Sequence, residues 1–443
     1  MKAIARKIII LMLGTILMVL CAHHSFPARA ADPPNGDSRA ARARILEVER
    51  TWEGQYQDYF GRRFRGRVLN ADQISETLRR LTNETHKKLA LIYVDPDPQE
   101  LSVILVIPGV EPLQKTFPNV SEQTLLATIN EFKSQVSRPA HTRSYLSPAR
   151  QLHQWIIAPL ESQLQAQSID TLIFCVGRNL RSLPFAALHD GQKFLVEKYN
   201  LGLIPAFHLT NHNHRSIQNM QVLAMGASVF QKLPALPAVP LELSSITQEQ
   251  WRSQTFLNQD FTLRNLEDRL RSRTFGIVHL ATHAEFKPGS PNNSYIQFWQ
   301  DEQLSLDRLW QLDWSELPIE LLVLSACQTA LGDERAELGF AGLAYQAGVK
   351  SSLASLWRIS DVGTLALMRE FYWQLSNADV TTKAEALRRT QIAMLKGQVR
   401  IENGQLHTSG GTLALPNTLE SFSQFDMSNP YYWATFVLVG SPW

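Results

Sequence analysis

The sequence predicts an α/β fold, with a mostly parallel central sheet flanked by helices and a small α+β region in front of it. Three observations carry that expectation. From Tyr145 onward, short and almost wholly apolar runs alternate with helical patterns, the arrangement of strands buried on both faces by the helices that connect them. Before Tyr145 the pattern is different, a charged helical stretch followed by two apolar runs. No repeat of helical-hairpin length runs through the 443 residues, so no repeat-type partner-binding domain is visible.

Taken in order, residues 1–30 read as an export signal. Lys2, Arg6 and Lys7 precede an apolar run from Ile8 to Leu20, and Ala28-Arg29-Ala30 offers small residues for cleavage. The run is short for a membrane span, which needs about 20 apolar residues. Export to a periplasm, a lumen or the exterior is expected, without stable membrane insertion once the signal is removed; an uncleaved anchor is the alternative. Residues 31–144 form a helical and β-hairpin region. The charged pattern from Ala40 to about Arg80, including Arg62-Arg63-Phe64-Arg65, reads as a solvated helical face. Leu89–Val94 and Leu101–Ile107 read as paired strands around Asp95-Pro96-Asp97-Pro98.

The third region, 145–443, should contain a helix near Ala149–Gln165, strands at Leu172–Val176, Val222–Gly226, Ile277–Thr282, Leu321–Ala326 and Val349–Leu356, and helices near Leu263–Arg273, Leu338–Gln346, Asp361 and Thr382. Leu233–Pro240, with three prolines, reads as a surface connection, and Asn403–Pro416 as a long mobile loop.

Bulk properties exclude several classes of protein. With 44% hydrophobic and 19% charged residues the chain is ordinary globular material. Lys plus Arg is 43 and Asp plus Glu is 41, so a formal charge of +2 gives no reason to expect nucleic acid. Loss of residues 1–30, which carry four basic residues and no acidic one, would change it to −2. Without the leader the cysteines are Cys175 and Cys327, which rules out a disulfide framework beyond a single bridge. Cys175, inside Leu172-Ile173-Phe174-Cys175-Val176, reads as a small buried hydrophobe.

Chemistry concentrates where two strands end. Gly276-Ile277-Val278-His279-Leu280-Ala281-Thr282-His283 and Leu321-Leu322-Val323-Leu324-Ser325-Ala326-Cys327 would, as parallel neighbours, deliver an imidazole and a thiol to the carboxyl edge of the sheet. A thiol with a free pKa of about 8.5 becomes an effective nucleophile beside an imidazole. Competing chemistries fail on spacing. Asp333 stands where a phosphatase loop needs arginine, Val349 where a phosphate-binding loop needs lysine, and no Gly-x-Ser-x-Gly occurs. His279 and His283 have zinc-site spacing, but Leu280 replaces the glutamate of that motif and the segment reads as strand, so no metal is expected and His279 reads as a satisfied core histidine.

Several segments, in order, resemble the CHAT domain family, relatives of caspases and separase. They are Leu180-Arg181-Ser182-Leu183-Pro184-Phe185-Ala186-Ala187-Leu188, Leu233 to Glu242, Val278 to His283, Leu324 to Gly332, Glu337 to Ala344, Ala354-Ser355-Leu356-Trp357, Tyr431-Tyr432-Trp433 and Gly440-Ser441-Pro442-Trp443. The resemblance implies a caspase-hemoglobinase-like fold over 145–443 and a cofactor-free cysteine endopeptidase acting on protein or peptide substrates. His283 and Cys327 match the family's catalytic dyad. Backbone N–H groups of Ala284 and Cys327 match its oxyanion donors, although the family usually has glycine where Ala284 stands. Asp361 has two readings: the N-cap of the helix it opens, or, by resemblance to separase, the receptor of an Arg or Lys side chain at P1. Glu337 reads as a complement to a helix dipole. A catalytically silent interaction or regulatory module on the same fold is the alternative function.

Overall fold

The computed structural model describes residues 36–443 apart from 65, 140–142, 248–250, 273, 313, 330–332 and 421–425, with the side chains of 36, 37, 326–329, 418 and 420 also outside the description. The export signal expected at 1–30 lies outside these residues. No helix among the described residues is long and apolar enough to cross a membrane.

The strands in chain order are β1 Leu89–Pro96, β2 Leu101–Val106, β3 Leu113–Phe117, β4 Thr171–Val176, β5 Asn200–Ile204, β6 Gln221–Gly226, β7 Ser253–Leu257, β8 Phe275–Phe286, β9 Tyr295–Gln297, β10 Gln303–Ser305, β11 Leu321–Thr329, β12 Ser351–Ser355, β13 Arg400–Glu402, β14 Gln405–Thr408, β15 Gly411–Ala414 and β16 Phe436–Gly440. The principal helices are α1 Gly36–Phe60, α2 Ala71–Thr85, α3 Glu122–Val136, α4 Leu146–Ile156, α5 Val239–Thr247, α6 Leu263–Leu270, α7 Glu334–Ala341, α8 Leu343–Ala347, α9 Asp361–Ser376, α10 Lys383–Leu395 and α11 Pro430–Trp433.

Among the described residues thirteen strands form one mixed sheet. Its path is β10-β9-β8-β11-β12-β16-β5-β4-β1-β2-β3, with β6 and β7 joined through β8. Two parallel blocks make up its centre. In one, β7, β6, β8, β11 and β12 run together; in the other, β16, β5, β4 and β1 run together. The blocks meet antiparallel at β12 and β16, where Ser351 faces Gly440, so their carboxyl ends point to opposite edges. Gly440 has φ +93°, and a Cβ there would collide with the Lys350 carbonyl oxygen; this seam requires glycine.

Leu321, Leu322 and Val323 in β11 and Ile277, Val278 and Leu280 in β8 are at most 1% exposed, which explains their unbroken apolar runs. The hairpin of the N-terminal region is not a separate sheet, because β1 pairs directly with β4. Three local expectations are corrected. The Asn403–Pro416 loop contains most of a small antiparallel sheet, β13-β14-β15. Residues 61–70 interrupt the expected charged helix, and Arg62 is turned inward against aromatic rings; Arg65 lies outside the described residues. The Leu233–Pro240 connection buries Leu236, Ala238 and Val239 and starts α5.

Candidate active site

Strands β8 and β11 are parallel neighbours, and Cys327 pairs with Ala284, the residue after His283. The register shifts just before that pair. Ser325 faces Ala281, so two steps along β11 match three along β8, and the extra residue makes a bulge at Thr282–His283. Bulges bend a strand and re-aim its side chains. Thr282 is buried, its Oγ1 donating to the Gln297 carbonyl at 2.7 Å, and His283 is left half-buried at a cleft. Contrary to the sequence expectation, neither strand ends at its reactive residue. The strand β8 continues to Phe286, and Ala284 is paired with Ile296 of β9 as well as with Cys327, so it is a ladder residue and not a turn. The Cys327 side chain lies outside the described residues.

The His283 ring packs edge-on against Phe230, with centroids 4.7 Å apart, and its Nε2 lies 2.8 Å from the Pro234 carbonyl oxygen. A carbonyl can only accept, so Nε2 carries the proton and the neutral ring keeps its lone pair on Nδ1. Burial lowers the pKa of His283 below the ordinary imidazole value and Arg358 pushes the same way, while Pro234 and Glu285 oppose them. The ring is therefore neutral near pH 7, the state a general base requires.

The cleft has a volume of about 460 Å³. It lies between the 233–237 connection, residues 283–285 and the turn entering α9, with Arg358 and Asp361 in its wall. Trp357 and Tyr431 hold that turn: Trp357 Nε1 donates to the Tyr431 carbonyl at 3.0 Å, and Tyr431 OH donates to the Arg358 carbonyl at 2.9 Å. The N-cap of α9 is Ser360, whose extended backbone and Oγ, accepting from Gly363 N–H at 3.1 Å, take the role expected of Asp361. Asp361 is the first helical residue, and its carboxylate accepts from the Ala238 N–H. Its pKa is pushed up to about 7, chiefly by burial and also by Glu242, against the pull of the Ala238 N–H and Arg358.

A buried polar chain runs beneath the cleft. Glu242 Oε1 accepts from Ser325 Oγ at 2.6 Å and lies 2.9 Å from His279 Nε2, while His279 Nδ1 is 3.2 Å from Tyr372 OH. His279 is thus a core histidine, as expected, hydrogen-bonded through Nδ1, while its buried Nε2 lies close to Glu242 without a hydrogen bond. A polar link of this kind ties α5, β8, β11 and α9 together. Glu337 proves more than a dipole complement: fully buried, it accepts from Lys133 Nζ at 2.7 Å and from Ser182 Oγ, joining α3 and the 180–188 segment to the helix that follows the Cys327 strand. Cys175 is buried as expected, its thiol pushed well above the ordinary value by burial and by Glu49.

Sequence reasoning missed Pro234, Arg358 and Glu242. One signal was present: Glu242 is the lone charge in Val239-Pro240-Leu241-Glu242-Leu243, where an acid on an apolar stretch marks a buried partner. Among the described residues no group of three or more His, Cys, Asp or Glu could hold a metal ion.

A family model of the CHAT domain matches residues 146–441. The chain belongs to the CHAT domain family, whose segments surround the cleft just described. Among solved structures it is similar to Saccharomyces cerevisiae separase in its complex with securin, at 11% identity and a TM-score of 0.47, over 84% of this chain and 31% of that one; this chain therefore spans about a third of that separase chain. It is also similar to Porphyromonas gingivalis RgpB, solved with its pro- and mature domains, at 11% identity and a TM-score of 0.37, over 72% of this chain and 75% of that one. No curated protein sequence matches the chain.

Proposed function

We propose that the chain is a cysteine endopeptidase in which Cys327 attacks the scissile carbonyl and His283 takes its proton and returns it to the leaving amine. Water then releases the acyl-enzyme. One observation carries this reading: the pairing of Cys327 with the residue next to His283 on adjacent parallel strands, with the imidazole tautomer fixed by Pro234. The Cys327 N–H and the Ala284 N–H are the proposed oxyanion donors. Asp361, a carboxylate in the wall of the same cleft, is the proposed receptor for a basic P1 side chain.

A fluorogenic peptide panel with Arg, Lys, Asp or Leu at P1, run on wild type and Cys327→Ala, tests the reading. Turnover lost in the variant and strongest on Arg or Lys is the expected result. Equal signals from both proteins, with Cys327 unreactive toward iodoacetamide, would instead identify a catalytically silent interaction module. The one observation that favours this second reading is the strand pairing of Ala284 on both sides, which sets its amide in a ladder where the family has a glycine turn. Export on the 1–30 leader is likewise our proposal. A C-terminal reporter active only outside the cytoplasm should signal, and a silent reporter on a well-expressed fusion would refute it.

A further inference from the structure

A second cavity, of about 610 Å³, lies at the other edge of the sheet, where β12 begins and β16 ends. The length of β12 separates it from the cleft, on the order of 15 Å. Its charged lining residues are Arg62, Arg63 and Lys350, and among the described residues no carboxylate lines it. Lys350 is already committed, its Nζ 2.6 Å from Glu320 Oε1. Arg62 is not. Its guanidinium lies 5.6 Å from the ring of Phe64, 5.6 Å from that of Tyr345 and 5.8 Å from that of Trp310. It makes no hydrogen bond or ion pair among the described residues, and its Nε is buried without a partner. Burial lowers its pKa, against a smaller opposing pull from Tyr345.

Two further polar atoms of the lining are buried without partners. Trp314 is 1% exposed, and neither its indole N–H nor the Gln346 Oε1 is hydrogen-bonded. Native structures rarely leave such a buried donor or acceptor unpaired unless something else completes it. Ring faces hold the guanidinium in place but supply no acceptor, so its fork remains available for bidentate pairing with a carboxylate. The rest of the wall is mixed, with Thr210, Asn211 and Ser315 beside an apolar stretch of Leu209, Ala347 and Val349, and Trp310, 49% exposed, stands at the rim.

We propose that this cavity is a docking site for an acidic peptide segment, one carboxylate pairing with Arg62 and an adjacent apolar or aromatic side chain resting on Trp310 and the apolar stretch of the wall. One uncommitted guanidinium with a neighbouring exposed Arg63 suits a single carboxylate. A nucleic-acid backbone calls for a longer row of cations. The site is independent of the proposed dyad and would hold a protein substrate or partner away from the cleft.

Fluorescence anisotropy tests it with a labelled peptide rich in Glu, Phe and Leu and a twin carrying Gln at every Glu, each titrated with Cys327→Ala protein so that cleavage cannot interfere. The acidic peptide should bind, its Gln twin at least tenfold more weakly, and Arg62→Gln should weaken the acidic peptide at least tenfold while leaving the melting curve cooperative. Trp310→Ala, a substitution at an exposed rim position, should weaken both peptides and keeps the test available if Arg62→Gln fails to fold. Equal binding of the two peptides, binding indifferent to both substitutions, or capture of anionic vesicles or DNA through Arg62 without any peptide binding would overturn the proposal. Because neither readout requires turnover, failure here leaves the peptidase reading standing, and failure of the peptidase leaves this one.

Discussion

The two parallel blocks of the sheet offer two carboxyl edges, and general experience with open α/β sheets makes either a place for a ligand. Beyond β1 and β4 the crevice is narrowed by α1, whose Arg44 and Trp52 line what remains of it, while the second cavity lies farther along the same edge, beyond β5 and β16. Arg44 Nε donates to Asp95 at 2.6 Å and its Nη2 lies 2.7 Å from Asp97, while Glu49, fully buried, accepts from Phe207 N–H at 2.9 Å, His208 N–H at 3.2 Å and Tyr93 OH at 2.8 Å. Beyond β8, β11 and β12 nothing comparable intrudes among the described residues. There a buried carboxylate, Glu242, accepts from a serine beneath the strand tips, and the edge above it opens as a cleft. Similar strands and similar buried acids produce a stretch of edge covered by a helix over β1 and β4 and an open cleft over β8 and β11, and the difference is whether a helix delivers a cation to the carboxyl ends. Cysteine placement follows the same division, with Cys175 under the covered edge and Cys327 at the open one.

The sharpest way to break this contrast is to exchange nothing but sulfur. Cys327→Ala should reduce peptide hydrolysis at least a thousandfold, as removal of a nucleophile does elsewhere. Cys175→Ala should leave kcat/KM unchanged and cost about 1 kcal/mol in urea unfolding through the small cavity it leaves. Comparable activity losses in the two variants would end the distinction between the edges. Next in size is Lys133→Ala, which strands the fully buried Glu337. It should destabilise the protein by about 3–5 kcal/mol, the usual result of removing one partner of a buried pair, and denaturant titration checks it.

Asp361→Asn should lower kcat/KM on Arg and Lys substrates by roughly ten- to a hundredfold, the scale of a charge-assisted hydrogen bond, and leave other substrates little changed. Its pH behaviour has a definite sign. The folded pKa of about 7 lies above the ordinary 3.8, so this group's contribution to stability is complete below the ordinary value and is lost as pH rises through 7. Wild type should therefore gain activity on basic substrates through pH 7 while losing stability, and Asp361→Asn should melt higher than wild type at pH 8, with a gap that narrows at pH 5. A variant that melts lower at pH 8 would assign Asp361 to structure alone. Smallest is Arg44→Ala, which removes the plug of the covered edge. It should cost about 1 kcal/mol, as partly exposed pairs do, with kcat/KM unchanged; a larger effect on activity than on stability would mean that the two edges communicate.

Much of this architecture was legible in the residues. Apolar runs such as Leu321–Val323 and Ile277–Leu280 announced strands buried on both faces, and the order of segments from Leu180 to Trp443 announced the family. What stayed illegible depended on contacts between distant segments. The interruption at 61–70, the small sheet β13-β14-β15, and the capping of α9 by Ser360 and not Asp361 each turned on a partner or a local geometry that composition does not encode. Glu337 looked like an exposed helix acid because Lys133, its partner, lies 204 residues away.

The chain by itself determined which segments would be buried strands and which residues carried reactive groups, since those properties follow from local polarity and periodicity. Only the tertiary structure decided that His283 sits on a bulge, that the Pro234 carbonyl fixes its tautomer, and that Asp361 faces the same cleft. Bulges, carbonyl acceptors and shared cavities arise from the register between strands, and register is set by packing across the whole sheet.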